Sequence, residues 1–265
     1  MTASTPVENH DLGPGAAGGV IGVDVGGTGI KAAVVDVTHG IASGRTRLET
    51  PQPATPAAVA ATVATLVRHF PTTGPVGCTV PAVVTAGTVR TAAHIDPSWI
   101  NTHATTVISK ATDRPCVVLN DADAAGIAEA RFGAARGHRG VVIMITVGTG
   151  IGTALLNNGV LVANSELGHI VVNRHIADAW VSDSTRVDKN LTWKRWTRRF
   201  ERYLTHLHDL LWPDLIVVGG GIVKHADRFL DRLDPGCEVR VAELGNLAGI
   251  VGAAIAAAEH VPAPN

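Results

Sequence analysis

The sequence predicts an α/β protein on two observations: short apolar strands alternate with segments of helical period, and glycines gather where the strands end. In "GVIGVDVGGTGIKAAVVDV", residues 20–25 are a continuous apolar run that reads as a buried strand; a glycine turn and a second β-branched run at 30–37 follow. "GRTRLETPQPATP" reads as a strand entering a proline-rich loop. In "TPAAVAATVATLVRHF", Thr55 stands at the N-cap and Pro56 at the first helical position, and Val59, Val63, Leu66, Val67 and Phe70 share one face. Further strands are expected at "VGCTV", "PCVVLN", "GVVIMITV" and "DLIVVGG", and helices at 121–131, 192–211 and 247–258. The polar stretch "RHIADAWVSDSTRVDKN" keeps no regular period, so its local structure stays open.

At 265 residues the chain suits one large domain or two modest lobes. A chain of that size buries roughly 70–75% of its unfolded surface and needs no staples. Against 23 Asp and Glu stand 22 Lys and Arg, a formal charge of −1 with no long basic run, which argues against a nucleic-acid surface. Cys78, Cys116 and Cys237 lie far apart without a C-x-x-C pair; neither a disulfide framework nor a cysteine zinc knuckle is expected, and a cytoplasmic protein fits. No apolar run reaches membrane-spanning length. Residues 1–18, rich in Gly, Pro, Ala and small polar residues, read as a disordered tail and not as a signal peptide.

Four polar stations fall at strand ends. In "DVGGTGIK", Gly26 and Gly27 can adopt positive φ and let backbone N–H groups approach phosphate oxygens. Thr28 and Lys31 add donors there, and Asp24 can hold Mg²⁺ directly or through water. The loop is no Walker A motif, lacking the G-K-[ST] ending and a following helix; a hairpin turn with a charged rim is the plainer alternative. "TVGTGIGTAL" repeats the pattern with Thr149, Gly150 and Gly152, and the pair of hairpins suggests related lobes facing each other across phosphates. In "LNDADAAGIAEARFG", Asn120 and Asp121 fall where a buried strand passes into a helix. A carboxylate there either takes a hydroxyl proton during attack on phosphorus or caps the helix, and Asp123 reads as a first-turn acid. In "IVVGGGIVKHADRF", Gly219, Gly220 and Gly221, ahead of a helix, either let a flat ligand such as adenine lie on the backbone or make a tight turn.

The stretch "SELGHIVVNRHIAD" pairs Glu166 with His169 and His175 with Asp178 at equal spacing. Taken alone it admits a metal site, part of a substrate pocket, or solvated polar residues.

In this order the stations resemble the ROK sugar kinases (repressors, open reading frames and kinases). "TPQPATP", "VRTAAHIDPSWINT", "NDADAAG", "GTGIG", "PDLIVVGGG" and "AGIVGAA" resemble the polyphosphate/ATP-dependent, glucomannokinase-like glucokinases within them, over about residues 20–259. The resemblance implies a two-lobed actin-like (ribonuclease H-like) fold with an interlobe cleft. Its lobes would be 19–121 and 122–246, with a helix at 247–260 packing back on the first. It makes Asp24, Gly26, Gly27, Thr28 and Lys31 the first phosphate loop, Thr149, Gly150 and Gly152 the second, and Gly219, Gly220 and Gly221 the adenosine site. Asp121 becomes the general base, Asn120 a sugar-hydroxyl ligand, and Glu166 and His169 further sugar ligands. The cysteine cluster that binds zinc with that histidine in other ROK proteins is missing from this sequence, so no zinc site is expected; His175 reads as a surface residue.

Departures from the family pattern gather around the sugar. Val171 stands where an acid is usual, and Asp178 where a Glu closes over the sugar, a reach shorter by roughly 1.5 Å. Val80-Pro81-Ala82 replaces aromatic-Pro-Gly at the pocket rim, so a methyl is expected where ligand meets backbone. Pro97 replaces a lysine, and Lys224-His225 stands where two basic residues are common, with Arg45, Arg47, Arg90 and Lys224 as candidate compensating cations for polyphosphate. The expected function is a Mg²⁺-dependent hexose kinase passing the terminal phosphoryl group of ATP, and of polyphosphate, to the 6-hydroxyl of glucose. The alternatives are the same chemistry on mannose, an amino sugar or a cyclitol, and a non-catalytic sugar- or nucleotide-binding regulator. The family suggests a homodimer, with neither nucleic acid nor membrane as partner.

Overall fold

The computed structural model describes residues 19–93 and 95–261; the tail expected over 1–18 lies outside them. The chain divides into two compact units, Met1–Ala124 with Gly249–Asn265, and Ala125–Ala248.

The first unit opens with strands β1 (Val20–Val25), β2 (Gly29–Asp36) and β3 (Ile41–Glu49), then helix α1 (Pro56–Val67) and strand β4 (Val76–Val80). A small hairpin, β5 (Val84–Thr85) and β6 (Thr88–Val89), precedes α2 (Ala104–Thr112) and β7 (Cys116–Asn120), and α3 (Asp121–Phe132) begins here. The second unit has β8 (Val141–Val147), β9 (Ile151–Asn157), β10 (Val160–Val162), and the short pair β11 (Val171–Val172) and β12 (His175–Ile176). Then come α4 (Asp178–Val181), α5 (Asp183–Asp188), α6 (Trp193–Leu211), β13 (Leu215–Gly219) and β14 (Glu238–Val241), before α7 (Ala248–His260).

Each unit is built on a five-stranded sheet of one topology. The first runs β3-β2-β1-β4-β7 and the second β10-β9-β8-β13-β14. In both, three antiparallel strands form a meander, and two further strands run parallel to the first of the three. The glycine turns of the first two stations therefore occupy the same place in each sheet, between its first and second strand.

α7 closes one face of the first sheet by direct backbone contact. A Cβ built on Gly22 would lie 2.0 Å from the Ile250 carbonyl oxygen, and one on Gly77 1.8 Å from that of Ala253. The small residues of "AGIVGAAIAAAEH" permit that approach from the helix side. α1 is capped as its sequence predicts, Thr55 Oγ1 accepting from the Ala58 N–H at 3.4 Å. It stops at Val67, however, so Phe70 lies beyond the helix yet is buried at 5% exposure. The second core centres on α6, whose Trp196, Phe200 and Tyr203 are wholly buried with Phe229. Trp196 stacks on Phe200 at 4.9 Å and donates its indole N–H to the Val181 carbonyl at 2.8 Å. Truncating such a residue costs roughly 3–5 kcal/mol.

Two stretches differ from the sequence expectation. The helix expected after the three glycines is a 3-10 segment, Gly221–Arg228, interrupted at His225 with φ −121. Within it only Ile222 is buried, too little apolar surface to hold a regular α-helix against the core. The irregular polar stretch resolves into β12, α4 and α5, elements of two to six residues.

Candidate active site

In the first unit the antiparallel register pairs Asp24 with Lys31 across β1 and β2. Lys31 Nζ comes within 3.4 Å of Asp24 Oδ2, and the Thr79 hydroxyl on β4 donates to Asp24 Oδ1 at 3.0 Å. The turn is closed by the Gly26 N–H donating to the Gly29 carbonyl at 3.1 Å. From the β3 side, the Thr50 hydroxyl donates to the Gly26 carbonyl and Arg47 Nη2 to the Thr28 carbonyl at 2.8 Å. With those carbonyls engaged, Gly27 and Thr28 stand exposed at the tip. Of the four candidate compensating cations, Arg47 is thus the one held against this turn. Arg90 is occupied elsewhere, donating to Thr85 Oγ1 at 2.7 Å and to Asn101 Oδ1 at 3.4 Å.

Both oxygens of Asp24 already have partners, so it fits a Mg²⁺ ion held through water better than one bound directly. Mg²⁺ keeps several waters in such sites and takes its remaining ligands from phosphate. Among the described residues no three His, Cys, Asp or Glu side chains gather as a metal cage.

β7 ends at Asn120 and α3 starts at Asp121. Asn120 Oδ1 accepts the Ala122 and Asp123 N–H groups at 2.8 and 3.1 Å, so the capping role that the sequence allowed Asp121 falls chiefly to Asn120. Its Nδ2 donates to the Ala82 carbonyl at 3.2 Å. Asp121 Oδ1 accepts from the Ala122 N–H at 3.0 Å, which sets the carboxylate on the first turn of the helix, half-buried. Ala82 itself is buried at 5% and belongs to the apolar core; the methyl expected at the pocket rim is turned inward. A hollow of about 250 Å³ joins Gly26 and Gly27 to Thr50, Gln52, Pro81 and Asp96. Asp96 caps the turn Pro97–Trp99, and the Ser98 hydroxyl, with the Ser98 N–H, holds its carboxyl below the ordinary value.

In the second unit the β8–β9 turn carries Thr149 and Gly150, with the Gly148 N–H donating to the Gly150 carbonyl at 3.0 Å. Helix α5 fastens it: the Asp183 N–H donates to the Gly148 carbonyl at 3.0 Å, and Ser184 Oγ to the Thr149 carbonyl at 2.6 Å. Asp178 accepts the Ile151 N–H at 2.6 Å, so its shorter side chain is anchored to the second turn just ahead of Gly152. Below it, burial and then the Asp178 carboxylate push the Tyr203 phenol far up. Gly220, at φ +80, lies so close to β8 that a Cβ would sit 2.6 Å from the Val147 carbonyl oxygen; the three-glycine station thus abuts the strand feeding the second turn.

Glu166 and His169 pair with each other, Oε2 to Nδ1 at 3.1 Å, with 41% and 57% of their side chains exposed. Their loop is fixed by Thr153 on β9, whose hydroxyl donates to the Ser165 carbonyl and accepts the Leu167 N–H at 3.0 Å. Val171 is exposed on β11, and His175 is exposed and stacked on Trp180 at 5.6 Å. Sequence reasoning missed Thr50, Thr79, Thr153 and Ser184, single hydroxyls whose partners lie far along the chain. No spacing marks them.

A strand order used twice, with a glycine hairpin at the same point in each sheet, defines the class: an actin-like α/β protein of two units. The pattern of the ROK family matches residues 20–181, and the chain belongs to that family. It is 43% identical to a polyphosphate glucokinase of Mycobacterium tuberculosis over 97% of either chain. It is similar to the solved inorganic polyphosphate/ATP-glucomannokinase from Arthrobacter sp. strain KM, with a TM-score of 0.88 and 45% identity over 91% of this chain and 99% of that one. A ROK family glucokinase from Streptomyces griseus, solved with glucose and AMPPNP, gives a TM-score of 0.79 at 26% identity over 91% of this chain and 100% of its own.

Proposed function

We propose that this chain transfers the terminal phosphoryl group of ATP, and of inorganic polyphosphate, to the 6-hydroxyl of glucose. The observation that carries the reading is the 43% identity to a polyphosphate glucokinase over 97% of the chain, spanning both units.

In this reading Asp121 accepts the hydroxyl proton as the sugar oxygen bonds to phosphorus and the bond to the departing ADP or shortened polyphosphate breaks. Asn120, through its three hydrogen bonds, holds Asp121 at the start of α3, and its remaining Nδ2 hydrogen can meet a sugar hydroxyl. Glu166 and His169 bind further hydroxyls, the carboxylate accepting and the imidazole donating. Lys31 and the backbone of the two glycine turns counter charge on the phosphoryl group, and Gly219, Gly220 and Gly221 receive the adenosine. Mg²⁺, held through water at Asp24, would supply further charge neutralisation on the phosphates. Mannose is a second acceptor in this reading, favoured by the likeness to a glucomannokinase. A cytoplasmic place and a homodimeric state belong to the same reading.

The test is phosphorylation of glucose and mannose with Mg²⁺ and either donor, with Asp121→Asn as the comparison. The variant should lose roughly 10²–10⁴-fold in kcat while binding glucose in calorimetry as the parent does. Turnover retained in the variant would remove Asp121 from the reaction. Silence of the parent with both donors and both sugars would leave a binding protein of this fold.

A further inference from the structure

The exposed side of α6 carries a concentration of charge that the proposed reaction does not use. "WKRWTRRFER", residues 193–202, holds Lys194, Arg195, Arg198, Arg199 and Arg202 against a single acid, Glu201. Lys194, Arg198 and Arg202 follow one another at four-residue steps, a row about 12 Å long on one side of the helix. The apolar residues Trp196, Phe200, Tyr203, Leu204 and Leu207 take the other side into the core. Among the described residues no carboxylate lies in ion-pair range of Lys194, Arg195, Arg198 or Arg202. All four are exposed, and the three charges of the row stand about one helical turn apart, close enough to repel one another. Such repulsion is relieved when a polyanion sits on the row.

The N-terminal end of α6 is linked through its neighbours to the phosphate stations of its own unit. α5 is bonded to the second glycine turn through Asp183 and Ser184. From α5, Arg186 lies over the Trp193 ring, 4.2 Å from its centre, and that ring meets His225 at 5.0 Å, next to the exposed Lys224 that follows the three glycines. Arg186 is itself paired with Asp183 at 2.7 Å, so it bridges from the turn to the helix. Cations thus continue from Thr149 and Gly221 outward along α6.

We propose that this face of α6 docks the distal part of a long inorganic polyphosphate chain whose reacting end lies at the second glycine turn. The proposal rests on the polyphosphate-donor reading above. Guanidinium groups bind phosphate oxygens in pairs, and an unbroken phosphate chain can meet each cation in turn. ATP ends in adenosine and has no phosphate to reach α6. The track accordingly distinguishes donors by length and leaves the chemical step alone.

The test is the triple variant Lys194→Gln, Arg198→Gln, Arg202→Gln, which leaves the apolar side of α6 intact. Binding of long-chain polyphosphate is measured by calorimetry across a KCl series, and KM for long-chain polyphosphate, tripolyphosphate and ATP by glucose phosphorylation. Affinity for the long chain should fall about tenfold or more, and its salt dependence should lose a slope of about 2–3, near one per cation removed. KM for tripolyphosphate and ATP should stay within twofold of the parent. Long-chain affinity unchanged in the variant overturns the proposal, as does a parallel rise in KM for ATP or tighter binding of an RNA oligonucleotide than of polyphosphate of equal charge. If the long chain binds the parent, is lost from the variant, yet never phosphorylates glucose, the track stands and the donor reading falls.

Discussion

Replacing Asn120 by Ala removes one side chain that ties three backbone groups. The Asp123 N–H loses its acceptor at 3.1 Å, the Ala122 N–H keeps only Asp121 Oδ1 at 3.0 Å, and the Ala82 carbonyl loses its donor at 3.2 Å. Losing an N-cap costs about 1 kcal/mol, and a buried carbonyl left without a donor about 1 kcal/mol more. The sum of about 2 kcal/mol should lower the thermal midpoint by roughly 4–8 °C for a unit of this size. Asn120→Asp keeps an acceptor for both N–H groups but sets a carboxylate against the Ala82 carbonyl, so it should recover about half of that loss. Because the same turn orients Asp121, kcat should drop in both variants. The assays are scanning fluorimetry and glucose phosphorylation on the parent and the two variants. An Asn120→Ala protein that melts with the parent and keeps its kcat would refute the bracing of Asp121 by Asn120.

Thr153→Val should leave the Leu167 N–H and Ser165 carbonyl unpaired and loosen the loop that presents Glu166. Steady-state kinetics should then show KM for glucose rising about tenfold, the equivalent of about 1.4 kcal/mol, with less effect on kcat. The thiols give a probe of intactness. Burial raises Cys78 far above its ordinary value and pushes Cys116 up to about 12, whereas Cys237 is raised less, by burial and then by Asp214. Alkylation of the native protein near pH 8 followed by mass spectrometry should label Cys237 first, and Cys78 and Cys116 only once denaturant opens the first unit.

Both glycine hairpins and the strand-to-helix passage at Asn120 were legible in the sequence because each is a local signal: an apolar run, then residues that permit a turn or a cap. The two hairpins suggested related lobes, but the shared strand order could not be read from them, since a hairpin fixes only the pairing of its own strands and not where the parallel strands are added. The stretch at 171–190 was not legible. Its elements are held by distant partners, such as Asp183 on Gly148 and Asp178 on Ile151, and no periodicity encodes them. Ala82 shows the limit in the opposite direction. The substitution was visible, but the burial of its side chain in the apolar core of the first unit depends on tertiary packing that no local pattern records.

The contact of α7 with Gly22 and Gly77 sets an order of events during synthesis. The strands of the first unit leave the ribosome early, but the helix that covers one of their faces follows only after the whole of Ala125–Ala248 has been made. At about 5–20 residues per second, that interval is roughly 6–25 s. Through it the bare sheet is exposed to other nascent chains, while the second unit, contiguous in sequence, is free to fold first. The half of the polypeptide made first thus receives its covering helix only after the second unit has been made.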